Sequence, residues 1–168
     1  MGMQLIETIE VGSGGAASIE FTSIPDDGVD LLLVTSIRSN GGNSVGYLQF
    51  NSDTGTNYNY QYLYGSGSSV DANSGSSQTE IEGFANNWSS TTASTFASSS
   101  VYVSNYASSS PKSVSMDGAT ENNATLNRNW LVAGSWSGTT AISSLKLTLP
   151  TDNFVQYSTA SLYKITAD

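Results

Sequence analysis

Tyrosine stands at every second position over one short stretch of this sequence. The four residues are Tyr58, Tyr60, Tyr62 and Tyr64. Successive side chains of a β-strand point to opposite faces, so only a strand places all four rings on one face. Three roles fit such a ladder: cross-strand packing within a sheet, the aromatic core of a subunit interface, or a platform that binds sugar. The sequence leaves these three roles open.

The two-residue period recurs along the whole chain. Leu145, Leu147 and Leu149 alternate with polar residues, and Trp130, Val132, Gly134 and Trp136 stand at every second position of another stretch. No segment longer than about ten residues repeats apolar side chains at helical spacing. Ser, Thr, Asn and Gly supply most of the polarity, and the first three compete with helical backbone hydrogen bonds. The pattern predicts one all-β domain over residues 1–168, with about ten strands.

Two packed antiparallel sheets, a sandwich of jelly-roll type, accommodate these strands best, and a closed barrel is the alternative. Three local expectations accompany this fold. The apolar run Leu31–Val34 predicts a strand covered on both faces. Residues 65–78 are rich in Gly and Ser and predict a flexible loop. Residues 1–13 end in a Gly-rich hinge and predict an N-terminal arm able to grip a partner.

The charge balance argues against two classes of partner. The chain has 5 basic and 14 acidic residues, a net charge of −9. A surface of that sign repels nucleic-acid phosphates and anionic membranes, so neither partner is expected. The start of the chain has no basic region followed by an apolar run, and no stretch reaches the roughly 18 apolar residues of a membrane span. We therefore expect synthesis and assembly in a cytoplasm.

Catalytic chemistry is sparse in this sequence. With no His and no Cys, the chain lacks the usual general base, metal ligand and thiol nucleophile. The carboxylate pairs Asp26–Asp27 and Glu80–Glu82 are the remaining enzymatic candidates, and the second pair is expected on a solvent face. Asn51, Asp53 and Thr54 fit an Asx-type turn better than a Ca²⁺ site. The sequence thus predicts no enzyme, no cofactor and no metal.

The three tryptophans divide into two groups. Trp130 and Trp136 alternate with Val132 and are expected in the core. Trp88 lies in a polar loop, so we expect its ring to be exposed and available to a partner or a glycan. The candidate contact residues are therefore Tyr58, Tyr60, Tyr62, Tyr64 and Trp88.

Several segments, in a consistent order over nearly the whole chain, resemble a widespread family of small tailed-phage proteins. The matching segments are Ser18–Pro25, Asp30–Val34, Arg38–Ser39, Leu48–Asn51, Asp53–Tyr58, Tyr62–Gly65, Ala93–Phe96, Asn105–Ala107, Ala141–Leu145 and Asn153–Tyr163. Members of that family, common in marine and freshwater phages, are taken for virion proteins of the capsid surface or the tail. The resemblance implies no catalytic residues.

Two hypotheses on function follow. The first is a capsid decoration or cement protein that binds the major capsid protein on the outer surface of the virion, as a homotrimer at three-fold positions of the shell. The second is a tail-fibre or receptor-binding module that recognises host surface glycan through Trp88 and the tyrosine face.

Overall fold

A computed structural model describes residues 2–121 and 127–167, and these residues form twelve strands in two sheets. No described residue is helical. The first six strands are β1 Gly2–Glu10, β2 Ser18–Phe21, β3 Asp30–Ile37, β4 Val45–Phe50, β5 Tyr58–Ser66 and β6 Ser69–Gln78. The other six are β7 Ile81–Ala85, β8 Ala97–Val103, β9 Lys112–Thr120, β10 Arg128–Trp136, β11 Leu145–Thr148 and β12 Thr159–Thr166.

The two sheets differ in width. The large sheet has eight strands in the order β1-β12-β3-β8-β9-β10-β5-β6, and the small sheet has four in the order β2-β11-β4-β7. Every pairing between these strands is antiparallel. The all-β, two-sheet antiparallel sandwich predicted from the sequence is confirmed, whereas its jelly-roll connectivity stays a prediction.

The core lies between the sheets and follows the two-residue period. Strand β8 alternates buried and non-buried residues along its whole length, and Leu145 and Leu147 of β11 are buried from the opposite side. The small sheet is half as wide as the large one and leaves both edge strands of the large sheet uncovered. Most side chains of β1 and nearly all of β6 are accordingly exposed.

The prediction of a flexible loop at residues 65–78 is wrong. Strands β5 and β6 form a hairpin in which Ser66 pairs with Ser69 across the two-residue turn Gly67–Ser68. Gly67 has a φ of 61° and Ser68 does not have a positive φ, which fits a type II′ turn with glycine at its first central position. The Gly-Ser pair is a recognised hairpin signal. The prediction missed it because β6 carries almost no apolar residues.

Strand β3 is covered on one face instead of two. Leu31 and Leu33 are buried between the sheets, while Val34 is exposed on the opposite face. The apolar run therefore belongs to a strand with apolar side chains on both faces, of which one face is buried and the other is exposed. The segment predicted as an N-terminal arm lies, over residues 2–10, along β12 of the same chain as the edge strand β1. Whether it also grips a partner stays a prediction.

The turn at Gly67 provides a test of the hairpin. Substitution Gly67→Ala puts a Cβ on a residue with φ of 61°, which disfavours an L-residue by about 1–2 kcal/mol. We expect a loss of unfolding free energy of that size in a denaturant titration. Amide exchange of residues 69–78 should also accelerate. The neighbouring Ser68→Ala should change stability by less than about 0.5 kcal/mol; equal effects of the two substitutions would contradict the assigned turn.

Candidate functional site

The tyrosine ladder of β5 faces the interior of the sandwich. Tyr58 and Tyr62 are buried, with 0% and 8% of their surface exposed, and Tyr60 and Tyr64 are half-buried. The four rings do share one face, as the period predicts. Because two of them are enclosed, the ladder is not an open aromatic platform, and only Tyr60 and Tyr64 retain surface that a partner could touch.

Tyr58 fastens the large sheet to the small one. Its hydroxyl accepts a hydrogen bond from the backbone N–H of Phe50 at 3.0 Å and donates to the carbonyl of Phe50 at 3.1 Å. The Tyr58 ring stacks on Trp136, with centroids 6.4 Å apart. Burial raises the pKa of the Tyr58 phenol to about 12, so the hydroxyl keeps its proton and both hydrogen bonds at physiological pH.

Tyr60 and Tyr62 together hold one carboxylate. Their hydroxyls donate to the two oxygens of Glu82, at 2.9 and 3.1 Å, and their rings lie nearly parallel. Asn73 of β6 donates to the Tyr62 hydroxyl. Burial raises the pKa of Tyr60. The expectation that Glu82 points into solvent is wrong, because the half-buried ladder supplies it with hydrogen-bond donors.

Trp88 and Tyr64 belong to one stack, although sequence reasoning treated them as separate candidates. The guanidinium of Arg128 lies 4.8 Å from the centroid of the Trp88 ring and 5.9 Å from that of Tyr64. Tyr64 in turn stacks on buried Trp130 at 4.7 Å. Trp88 is therefore half-buried and is held by cation–π contact, so the expectation of an exposed Trp88 ring is only partly met.

Sequence reasoning missed Arg128, the cation of this stack. A signal for it exists: Arg128 is two residues before Trp130 and therefore shares its strand face. It also donates to Ser44 at 2.8 Å, which ties the stack to the residue before β4. The stack joins three separate parts of the chain and acts as a structural junction.

The turn at Asp53 is an Asx turn, as predicted. Oδ1 of Asp53 accepts from the backbone N–H of Gly55 at 2.8 Å, and Oδ2 accepts from Nε1 of Trp136 at 2.8 Å and from Asn57 at 2.9 Å. The hydrogen bond from Trp136 and then that from Asn57 lower the pKa of Asp53. Both carboxylate oxygens are thus engaged within the chain.

Two further findings concern the described part of the chain as a whole. No group of three or more acidic side chains lies close enough together there to hold a metal ion. Nor does any helix long and apolar enough to cross a membrane occur among those residues.

The outer face of the large sheet, which faces away from the small sheet, carries an exposed apolar strip. One row runs straight across four strands through the pairs Leu5–Tyr163, Tyr163–Leu32 and Leu32–Tyr102. The strip consists of seven residues: Met3, Leu5, Leu32, Val34, Tyr102, Tyr163 and Ile165. Met3, Leu5, Val34 and Tyr102 are among the most exposed large apolar side chains of the described chain.

No basic side chain in the described part of the chain lies next to the apolar strip. The hydroxyl of Tyr102 donates to Asp30 next to the strip. The five basic residues all lie elsewhere. Arg38 binds loop carbonyls, Lys112 and Arg128 are turned inward, Lys146 is on the small sheet, and Lys164 binds Asp27. The described side chains that border the strip are thus acidic or neutral.

A second feature of the same face is a shallow groove of about 560 Å³ over β10, β5 and β6. Leu63 and Leu131, both more than half exposed, form an apolar part of its lining, and Gln61, Asn73 and Ser74 contribute polar groups. The groove reaches the outermost strand of the sheet, β6, through Ala72.

Comparisons of the chain with protein-family models, with curated proteins and with solved structures find no match.

The hydrogen bonds of Tyr58 can be tested by a single-atom deletion. In Tyr58→Phe the buried N–H of Phe50 loses its phenolic acceptor, which costs about 1–3 kcal/mol of unfolding free energy. We expect that loss in a urea titration followed by tryptophan fluorescence. Tyr157→Phe is the matched control, because Tyr157 is 61% exposed and its hydroxyl bonds to no described residue. An unchanged stability of Tyr58→Phe would show that the two hydrogen bonds contribute nothing net.

Proposed function

We propose that this protein is a non-enzymatic structural component of a tailed-phage virion, a decoration protein that binds the outer shell through the apolar strip of its large sheet. The observation that carries the proposal is the strip itself. Contiguous exposed apolar surface on a soluble domain marks a site of interaction. Here it extends over four adjacent strands and includes two tyrosines, a residue type enriched in protein interfaces.

The state of the carboxylates supports a non-enzymatic role. Glu82 receives two phenolic hydrogen bonds, and Asp53 receives three hydrogen bonds from its own turn and from Trp136. Asp27, of the other candidate pair, binds Lys164 at 2.6 Å, and this hydrogen bond lowers its pKa. A general acid needs a raised pKa and a partner carboxylate across a cleft. Burial and then the charge of Glu82 raise the pKa of Glu80, but Glu82 beside it is held by two tyrosines. Asp53 and Asp27 likewise serve structural contacts.

The resemblance to small tailed-phage proteins supports the virion as the location. In that setting the strip would meet the major capsid protein. The absence of basic residues from the strip and its surroundings favours a neutral or basic patch on the shell as its counterpart. The strongly negative chain as a whole would favour solubility before assembly.

The second candidate, a receptor-binding module for host glycan, is supported by one observation. Trp88 keeps part of its ring exposed next to a cation and a half-buried tyrosine. If this stack binds glycan, Trp88→Ala should weaken adsorption of the phage to its host without changing occupancy of the shell. If the stack is only structural, the same substitution lowers stability and leaves the adsorption of folded particles unchanged.

The decoration proposal is tested on shells assembled without the protein. Purified chain should bind these shells, and cryo-electron microscopy should place its density on their outer surface. Val34→Glu puts a carboxylate into the strip, and burying it unpaired should weaken binding about tenfold or more. Thr56→Glu adds the same charge in an exposed loop outside the strip and should bind as the wild type does.

Two outcomes would contradict the proposal. Density only at the tail of complete virions would exclude decoration of the shell. Equal binding of Val34→Glu and wild type would exclude the strip as the contact surface, even if the protein is found on the shell.

A further inference from the structure

Strand β6 is an open edge of the large sheet. It pairs with β5 on one side, and no other described strand pairs with it on the other. Nine of its ten residues are exposed, and Gly75 is half-buried. Val70 is 74% exposed, more than any other large apolar side chain described.

The register of the hairpin shows which backbone groups point to the open side. A two-residue turn closes on a hydrogen-bonded pair, here Ser66 and Ser69. Hydrogen-bonded and non-hydrogen-bonded pairs then alternate, so Val70, Ala72 and Ser74 are at non-hydrogen-bonded positions. Their N–H and C=O groups point away from β5. The N–H of Ser74 agrees with this, because it takes the side chain of Asn73 as its acceptor.

Natural edge strands are protected from pairing by lysine, proline, bulges or inward-pointing charges. Over Ser69–Gly75, β6 has none of the first three; its bulge follows this stretch, and its single charge, Asp71, lies on the inner face opposite Tyr64. The opposite edge, β1, is divided by a bulge between Leu5 and Glu7 into two stretches of four residues and carries Glu7 and Glu10. Of the two edges of the large sheet, β6 therefore offers the longer regular stretch and fewer charges.

We propose that two copies of this chain associate through antiparallel pairing of their β6 strands about a two-fold axis at Ala72. In antiparallel strands such an axis places one residue opposite its own copy. Centred on Ala72, the contact uses all of the regular stretch Ser69–Gly75, which ends where the pairing with β5 shifts register. Val70, Ala72 and Ser74 then form about six backbone hydrogen bonds across the axis, and the bonds of the Ser74 N–H groups replace those to Asn73 Oδ1.

The charge of Asp71 favours a two-fold axis at Ala72 over an axis at the neighbouring residue. An axis at Asp71 would put two carboxylates opposite each other, which destabilises a cross-strand pair. The axis at Ala72 instead places Asp71 opposite the partner's Asn73, an amide. On the outer face it places Val70 beside the partner's Ser74, and the groove lined by Leu63 and Leu131 continues from one copy into the other.

This inference goes beyond the proposed function and does not depend on it. The contact involves β6, whereas the apolar strip lies at the other end of the sheet on β1, β12, β3 and β8. A trimer at three-fold positions, which is expected of a decoration protein, would require a different, head-to-tail contact. The mass of the free protein distinguishes the two assemblies without any phage particle.

Sedimentation velocity over a range of protein concentrations tests the pairing. The wild-type chain should reach twice its 17.6 kDa mass. The dimer fraction should rise with salt, because two copies of charge −9 repel each other and salt shortens the screening length from about 10 Å at 0.1 M to about 3 Å at 1 M. A monomer at all concentrations and salt levels, or a trimer, would overturn the proposal.

Ala72→Lys should raise the dissociation constant at least about tenfold, because it places two like charges at the axis. Because this substitution makes the net charge of the chain less negative, it would strengthen association if repulsion between two negatively charged copies were the only factor. Ser13→Lys makes the same change of charge in an exposed turn outside β6 and should leave the dimer intact. Dimers that survive Ala72→Lys, or that Ser13→Lys abolishes, would rule out β6 as the contact.

A second variant keeps the test decisive if Ala72→Lys fails to fold. The chain contains no cysteine, so Ala72→Cys can form a disulfide only with another copy. Residues opposite each other in a hydrogen-bonded antiparallel pair have Cα atoms about 5.5 Å apart, which suits a disulfide. Ala72→Cys should oxidise to a covalent dimer much faster than Ala133→Cys, which lies two strands further in on the same face. Equal rates would contradict the pairing.

Discussion

The inner face of the large sheet is shielded from water only where the small sheet covers it. Four strands over eight leave the middle of the large sheet buried and both of its margins exposed, and this difference in width determines which residues are core and which are surface. Leu33 of β3 is buried, whereas Gln4 of β1 and Asp71 of β6, which lie on the same inner face of the large sheet, are exposed. Burial of apolar area stabilises the fold by roughly 25 cal/mol per Å², so stability depends most on the covered region.

The aromatic residues of β5 and β10 hold the two sheets together at the margin of the covered region. Tyr58 is bonded to the backbone of Phe50, Tyr60 and Tyr62 hold Glu82, and Tyr64 connects through Arg128 to Trp88. Each of these contacts joins β5 or β10 to the small sheet or to a loop that follows it. The hydroxyls of Tyr58, Tyr60 and Tyr62 form hydrogen bonds, as buried tyrosine hydroxyls usually do. The ladder is therefore chiefly a fastening between the layers.

Both proposed interaction surfaces lie on uncovered parts of the large sheet. The apolar strip and the open edge of β6 lie at opposite ends of one sheet, so the two contacts proposed here can form at the same time without competing. Binding to a shell through the strip and pairing through β6 would together link neighbouring positions on a particle surface. Such a link would add avidity to each single contact.

The sequence by itself determined the class of fold and the local alternation. The tyrosine period, the Leu145–Leu149 pattern and the Trp130–Trp136 pattern predict strands because a period of two is a property of local backbone geometry. The Asx turn at Asp53 is local for the same reason. The strand β6 was missed because its Ser- and Asn-rich side chains are all solvent-exposed and carry no burial signal, although the Gly67–Ser68 turn marks the hairpin.

Only the tertiary structure decided which face of each strand is buried and what each polar group contacts. Leu31–Val34 could belong to a strand covered on one face or on both, and the number of layers decides between them, because no described strand covers the outer face of the large sheet. The contacts of Glu82 with two tyrosines and of Arg128 with Trp88 join residues that are 20 to 40 positions apart. Such pairs depend on strand order, which alternation cannot specify, because every order of the same strands satisfies the same local pattern.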